Sequence, residues 1–338
     1  MNGSCLNFDN PIRDAISRIR FAPASNNLLL SSWDSVLRLY DVDESDVRLE
    51  TPNGGAALLD CCFESESVAL TANSDGSVIR YDMRLGNSNV LGKHEDSATC
   101  VEYSDETCQI ITSGWDNSIK FWDARSGNSV GCLSNLVVGV ESMSLSVFNL
   151  MVALKSSVHM YDLRYLDREV RVKEPFTDIH IKCVRSSSNL GGFMTGSIDG
   201  RVALEYFDDS SSEKDGYAFK CHPKSKDGRH HLVAVNDIAF NPVLCGVLIT
   251  GDNEGHATMW DVQSRKRLME LPRYPNCVAS LAYNHNGQLL AVASSYTYQE
   301  ANERLVGYLA CLTHSSFFRP CRFHYLTFIE KISLLNDD

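Results

Sequence analysis

The sequence predicts an all-β fold, a seven-bladed propeller, from three observations. The chain repeats itself with a period of roughly forty residues, a spacing proper to propeller blades. Each repeat is made of short runs rich in Val, Ile, Leu, Thr and Tyr, bounded by Gly, Asn, Asp and Ser, which read as strands. No helical periodicity lasts more than a turn or two. A single blade cannot bury both of its faces, so the repeats are expected to form one cooperative domain of four-stranded sheets about an axis.

Taken in order, the first element is "SCLNF" (Ser4 to Phe8), ahead of the repeats and apolar enough to close the ring as a strand of the last blade. Such pairing removes an exposed sheet edge. The unit that follows is an alternating run, a break, a run ending in small residues, a tight turn, and a run ending in aromatic-Asp. It reads "ISRIRFAP…LLLSSWDSVLRLYD", then "LLDCCFES…VALTANSDGSVIRYD", then "TCVEYSDE…QIITSGWDNSIKFWD". Weaker copies are "ESMSLSVF…LMVALKSSVHMYD", "IKCVRSSS…GFMTGSIDGRVALEY" and "VNDIAFNP…GVLITGDNEGHATMWD". A seventh begins "VASLAYNHNGQLLAVASS" and loses the pattern, so blade seven is atypical, with "RLVGYLACL" (Arg304 to Leu312) expected as its third strand. Residues 1–312 are therefore read as the propeller and 313–338 as a divergent C-terminal tail. Phe317, Phe318, Phe323, Tyr325, Phe328 and Ile329 make that tail more apolar than an exposed one.

Composition narrows the function. A formal charge of −12 argues against a general binder of nucleic acid or anionic membrane. No apolar run approaches membrane-spanning length, and "MNGSCLNFDN" lacks the basic start and apolar core of a secretory signal. The 12 cysteines are dispersed without a CxxC, as expected for reduced thiols of an intracellular protein. Cys221-His222 with His230-His231 fits no standard zinc spacing and reads as a polar loop. With no phosphate loop, nucleophile elbow or metal cluster, neither an enzyme nor a cofactor is expected.

The repeat resembles that of WD-repeat propellers, in which a loop His, a second-strand Ser or Thr, a turn Asp and a third-strand Trp form a buried hydrogen-bonded set. His94, Ser113, Asp116 and Trp122 match that set in the third repeat. The role is structural, because buried polar groups must be paired. Elsewhere the pattern departs: Tyr40, Tyr81 and Tyr161 replace the Trp, Lys155 falls where the turn Asp belongs, and Glu205 takes the Trp position of the fifth repeat.

In a propeller the turn between the second and third strands lies on the same rim, the top, as the loop joining one blade to the next. The residue before the turn Asp therefore points toward solvent. Trp33 and Trp115 hold that place, with Ser74 and Ile198 equivalent in other repeats. Each Trp either packs on a neighbouring loop or anchors a partner. Two of them on blades one and three frame one patch, and Trp is enriched at binding hot spots, so a binding role is expected. In blade five Arg201 starts the third strand and Lys220 ends the fourth, which brings both cations to one rim; Arg185, on the first strand, extends the basic strip. Solvated surface cations are the alternative. On an acidic chain such a pair suits a carboxylate or a phosphorylated peptide.

"SSWDSVLRLYDV", "SGWDNSIKFWDAR", "GRVALEYFD", "YAFKCHPK" and "RYPNCVASLAYNHNGQLLAVASSYTY" together resemble the mitotic-checkpoint WD-repeat proteins of the Bub family, its third-named member, from about residue 12 to about residue 299. The resemblance implies a non-enzymatic kinetochore adaptor, nuclear and at centromeres in mitosis with a cytoplasmic pool, monomeric within hetero-complexes and without direct contact to nucleic acid or membrane. It implies two ligands. A GLEBS motif of checkpoint kinase-type partners would lie across the top face on Trp33, Trp115 and Arg185. Phosphorylated Met-Glu-Leu-Thr repeats of the kinetochore scaffold would be read by Arg201 and Lys220. Two other functions compete: a paralogous Rae-type messenger-RNA export factor, which also binds GLEBS, and a cullin-ligase substrate receptor, suggested by "WDAR" (Trp122 to Arg125).

Overall fold

A computed structural model of the chain describes residues 3–6, 10–52, 54–176, 178–207, 216–221, 233–296 and 325–329. Among them are strands and turns, and no helix. β1 (Gly3–Cys5) precedes the repeats. β2 (Ile16–Phe21), β3 (Asn27–Ser32), β4 (Val36–Asp41) and β5 (Asp46–Pro52) form the first antiparallel sheet. The second holds β6 (Leu58–Ser65), β7 (Val68–Asn73), β8 (Ser77–Asp82) and β9 (Asn87–Lys93). The third holds β10 (Ala98–Ser104), β11 (Gln109–Gly114), β12 (Ile119–Asp123) and β13 (Ser129–Leu133). β14 (Ser142–Ser146), β15 (Asn149–Leu154), β16 (Ser157–Asp162) and β17 (Tyr165–Lys173) make the fourth. The fifth contains β18 (Ile181–Ser187), β19 (Gly192–Ser197), β20 (Arg201–Tyr206) and β21 (Tyr217–Lys220). The sixth contains β22 (Val235–Phe240), β23 (Val247–Asp252), β24 (Ala257–Asp261) and β25 (Lys266–Glu270). β26 (Val278–Tyr283), β27 (Leu290–Ser294) and β28 (Tyr325–Ile329) join β1 in a further sheet of order β1–β28–β27–β26.

That last sheet departs from the sequence reading. The strand paired with β27 is Tyr325–Ile329, in the stretch read as a tail; the run from Arg304 to Leu312, expected as the third strand, lies outside the described residues. Both runs alternate and have strand length, so only the cross-strand partner chooses between them. β1 pairs with β28 in the register Gly3↔Ile329, Ser4↔Phe328, Cys5↔Thr327.

The first strands of the sheets touch in cyclic order: β2, β6, β10, β14, β18, β22, β26 and back to β2. Between neighbouring sheets lie separate apolar clusters. Leu29, Leu37 and Leu39 of the first sheet meet Leu58, Ala69 and Ile79 of the second, and Cys62, Leu70 and Val78 of the second meet Val101, Ile110 and Trp122 of the third. A sheet covered on both faces needs no polar alternation, which is why all six residues of β7, β19 and β23 are buried.

Polar side chains tie the inner strands together. Asp60 accepts the Val101 N–H at 3.0 Å, Ser142 the Val184 N–H at 3.2 Å, and Asp237 the Leu281 N–H at 2.9 Å. Each bond runs from one sheet's first strand to the next. They satisfy backbone groups that face the axis and would otherwise be stranded.

Candidate functional site

Six inner strands carry a β-bulge one residue after their start, in β2, β6, β10, β18, β22 and β26. A bulge interrupts strict alternation and re-aims a side chain. The bulged residues, Ser17, Leu59, Thr99, Lys182, Asn236 and Ala279, all line one cavity of about 430 Å³. None of the six was singled out from sequence, because an alternating pattern does not reveal where alternation slips.

Trp33, Trp115 and Arg185 line this same cavity. Their placement rests on a repeated backbone bond, in which the residue after β3, β7, β11, β19, β23 and β27 donates its N–H to the loop before the first strand. These bonds are Trp33 to Ala15 O and Trp115 to Ser97 O, both 2.9 Å, with Ser74, Ile198, Asn253 and Ser295 making the others. Ser74 also lines the cavity, whereas Ile198 does not. Trp33 is half-buried and meets Tyr296 edge-to-face, with centroids 6.0 Å apart and planes at 82°. Trp115 is 45% exposed, a large value for tryptophan, and its ring lies over Gly139, where a Cβ would come within 3.1 Å.

Beneath the indoles sits a charged floor. Arg185 pairs with Asp237 at 2.6 Å and donates to Ser142 Oγ at 3.0 Å. Arg18 reaches the same Asp237 at 3.2 Å and stands 3.6 Å from Asp60. Burial pushes Asp237 up, yet Arg18 and Arg185 outweigh it and hold the carboxyl below its ordinary range. Asp60 is instead raised, by burial.

Arg201 and Lys220 lie outside this cavity. They are direct cross-strand partners on β20 and β21, both exposed, and Arg201 pairs with Asp199 at 3.0 Å. The two cations therefore share one edge of the fifth sheet, apart from the indole-lined hollow.

The hydrogen-bonded set of the third sheet corrects one residue. His94 Nδ1 meets Asp116 at 3.0 Å and its Nε2 meets Thr112 Oγ1 at 2.9 Å, to which Trp122 Nε1 also donates at 2.9 Å. Thr112, not Ser113, supplies the hydroxyl. Thr112 pairs with Lys120 and Ile110 with Trp122, so 110, 112, 120 and 122 share a face; Ser113 pairs with Ile119 on the other. Ser113 instead approaches Thr99 Oγ1 at 3.4 Å. Trp122 fits because β9 offers Gly92 beneath it, where a Cβ would stand 2.2 Å from the indole. Burial pushes His94 below its ordinary value. For Asp116, hydrogen bonds from Ser118, the Glu95 N–H and His94 outweigh burial and lower it. A repeat of the arrangement occurs in the sixth sheet, where Trp260 Nε1 donates to Thr250 Oγ1 at 3.0 Å.

Among the described residues, no group of three or more His, Cys, Asp or Glu is placed to hold a metal ion. His222, His230 and His231 lie outside them.

Antiparallel four-stranded sheets about a common axis, with a buried His-Asp-Thr-Trp set inside one of them, define a WD40-repeat β-propeller. Residues 87–123 match the WD domain, G-beta repeat family. The chain belongs to the Bub3 family of mitotic checkpoint proteins. It is 47% identical over 304 residues to mitotic checkpoint protein BUB3.3 of Arabidopsis thaliana, covering 90% of this chain and 96% of that protein. It is 39% identical over 303 residues to BUB3.1 of the same plant, covering 87% and 88%. Protein Rae1 of Drosophila melanogaster is a more distant homologue, 28% identical over 318 residues and covering 87% and 88%.

Proposed function

We propose that this chain is a non-enzymatic adaptor of the spindle-assembly checkpoint that works at kinetochores and binds two peptide ligands on its top face. A GLEBS-type peptide of checkpoint proteins lies across Trp33, Trp115 and Arg185. A phosphorylated Met-Glu-Leu-Thr repeat is read by Arg201 and Lys220. The single observation that carries the first site is convergence: residues 33, 115 and 185, far apart in sequence and on three different sheets, line one hollow. Aromatic anchors around a concave floor with a few placed charges are what a peptide site requires. The names of the relatives at 47% and 39% identity support the checkpoint role over messenger-RNA export.

The second site rests on Arg201 and Lys220 being opposed in register. A phosphate of nearly two negative charges bridges two such cations, and it displaces Asp199 from Arg201 because its charge is greater. In this reading the seven sheets are seven blades, β1 on β28 closes the ring, and the propeller extends to Ile329. The test is a binding titration with phosphorylated and unmodified Met-Glu-Leu-Thr peptides and a GLEBS peptide. Arg201→Ala or Lys220→Ala abolishes most of the phosphopeptide binding, and Trp33→Ala weakens the GLEBS peptide with little change in melting temperature. Equal affinity for the unphosphorylated peptide would sink the phosphate reader. Lost stability with intact GLEBS binding returns Trp33 to the scaffold. Binding of GLEBS without the phosphopeptide favours the export role.

A further inference from the structure

Asp237 is the most heavily used carboxylate at the axis. It is fully buried, and its two oxygens do different work. Oδ1 takes Arg185 at 2.6 Å and the Ile238 N–H at 3.0 Å; Oδ2 takes Arg18 at 3.2 Å, Ser280 Oγ at 3.0 Å and the Leu281 N–H at 2.9 Å. One acid thus holds two guanidiniums from the first and fifth sheets. Both arginines line the cavity, and Lys182, on the bulge two residues before Val184, lines it with them. Asp60 adds a looser ion pair, 3.6 Å from Arg18 Nε, and that nitrogen is buried and makes no hydrogen bond. Burial, then the neighbouring guanidiniums of Arg185 and Arg20, hold Arg18 below its ordinary value, against Asp237 and Asp60, which favour its charged form.

We infer that Arg18 is a second ligand-contacting cation of the top-face site and that Asp237 positions it: Arg18 and Arg185 together receive one carboxylate of an acidic side chain inserted by the bound peptide between the two indoles. This rests on the GLEBS reading above and adds to it a residue on the first sheet. The geometry favours a single carboxylate over a polyphosphate, because Asp60 and Glu141 line the hollow, Asp237 lies against its two arginines, and all three would repel a multiply charged anion. A planar carboxylate matches the donor fork of a guanidinium, and in a hollow walled by indoles the interaction is little screened.

The experiment is a titration of the full chain with a synthetic GLEBS-type peptide and with the same peptide carrying Gln for each Glu in turn. Arg18→Gln lowers affinity for the acidic peptide roughly tenfold. One Glu→Gln peptide binds wild type and Arg18→Gln alike, which identifies the inserted side chain. Asp237→Asn weakens binding of the acidic peptide while that Gln peptide is affected less, a pattern that general loss of structure would not give. Because Asp237→Asn disturbs a buried network, Arg18→Lys is the control: it keeps charge and fold, and recovers only part of the affinity because it lacks the fork. Equal affinity of wild type and Arg18→Gln for every peptide, with Trp33→Ala still weakened, overturns the inference alone. No binding of the acidic peptide to wild type overturns both it and the reading beneath it.

Discussion

Thr112 and Ser113 illustrate how a single position decides a role. Both are hydroxyl residues at the end of β11 and both are fully buried, yet they face opposite sides of the sheet. Thr112 Oγ1 meets the His94 ring and the Trp122 indole, so removing it strands two buried polar groups. Thr112→Ala is expected to cost about 1–3 kcal/mol, whereas Ser113→Ala, whose hydroxyl meets only Thr99 at 3.4 Å and the weakly bonding Cys100 thiol, costs under about 1 kcal/mol. Chemical denaturation of the two variants checks this ranking, and a larger loss for Ser113→Ala would reverse the assignment. The same parity governs the top face. Asp34 closes its turn through the Val36 N–H at 3.1 Å and grips Arg38, and Trp33 one place earlier is carried on that turn.

At the scale of the element, the loop before β10 is pinned to the third sheet by His94 and Asp116. An imidazole held below its ordinary value by burial is neutral in the folded chain and protonates first in the unfolded one. Its contribution is therefore complete above about pH 6.5 and is lost as the pH falls below it toward the folded value. Melting temperature is expected to drop between pH 7 and pH 5, and His94→Gln to flatten that slope relative to wild type. Parallel slopes for the two proteins would show that other groups set the acid limit. The bulges are the other lesson at this scale. Six inner strands break alternation at their second residue and deliver Ser17, Thr99, Lys182 and Asn236 to the cavity. Composition marks these runs as strands but carries no signal for the slip.

At the scale of the molecule, the inner strands form a closed cycle, and β1 and β28 complete the sheet next to the first repeat. In the closed ring proposed above, each sheet is buried by its neighbours, so loss of a terminal strand is felt beyond its own sheet. A chain beginning at Asn10, without β1, is expected to melt in one transition at a lower temperature than the full chain. Scanning calorimetry distinguishes this from two transitions, which would mean that the last sheet melts alone. The apolar C-terminal stretch gains a part in the same terms, since Tyr325–Ile329 pairs with both β27 and β1.

The sequence by itself determined the strand chemistry, the repeat, the turn carboxylates and the two odd tryptophans, because those follow from short-range composition and a regular period. It also marked Arg201 and Lys220, since strand polarity places the start of one strand beside the end of the next. Tertiary structure alone decided which hydroxyl meets His94, which C-terminal run pairs with β27, and that Arg18 and Arg185 share Asp237. Each of these depends on the facing or the meeting of residues distant in sequence, up to 219 positions apart for Arg18 and Asp237. A one-residue change of register reverses every face, and local pattern is blind to it.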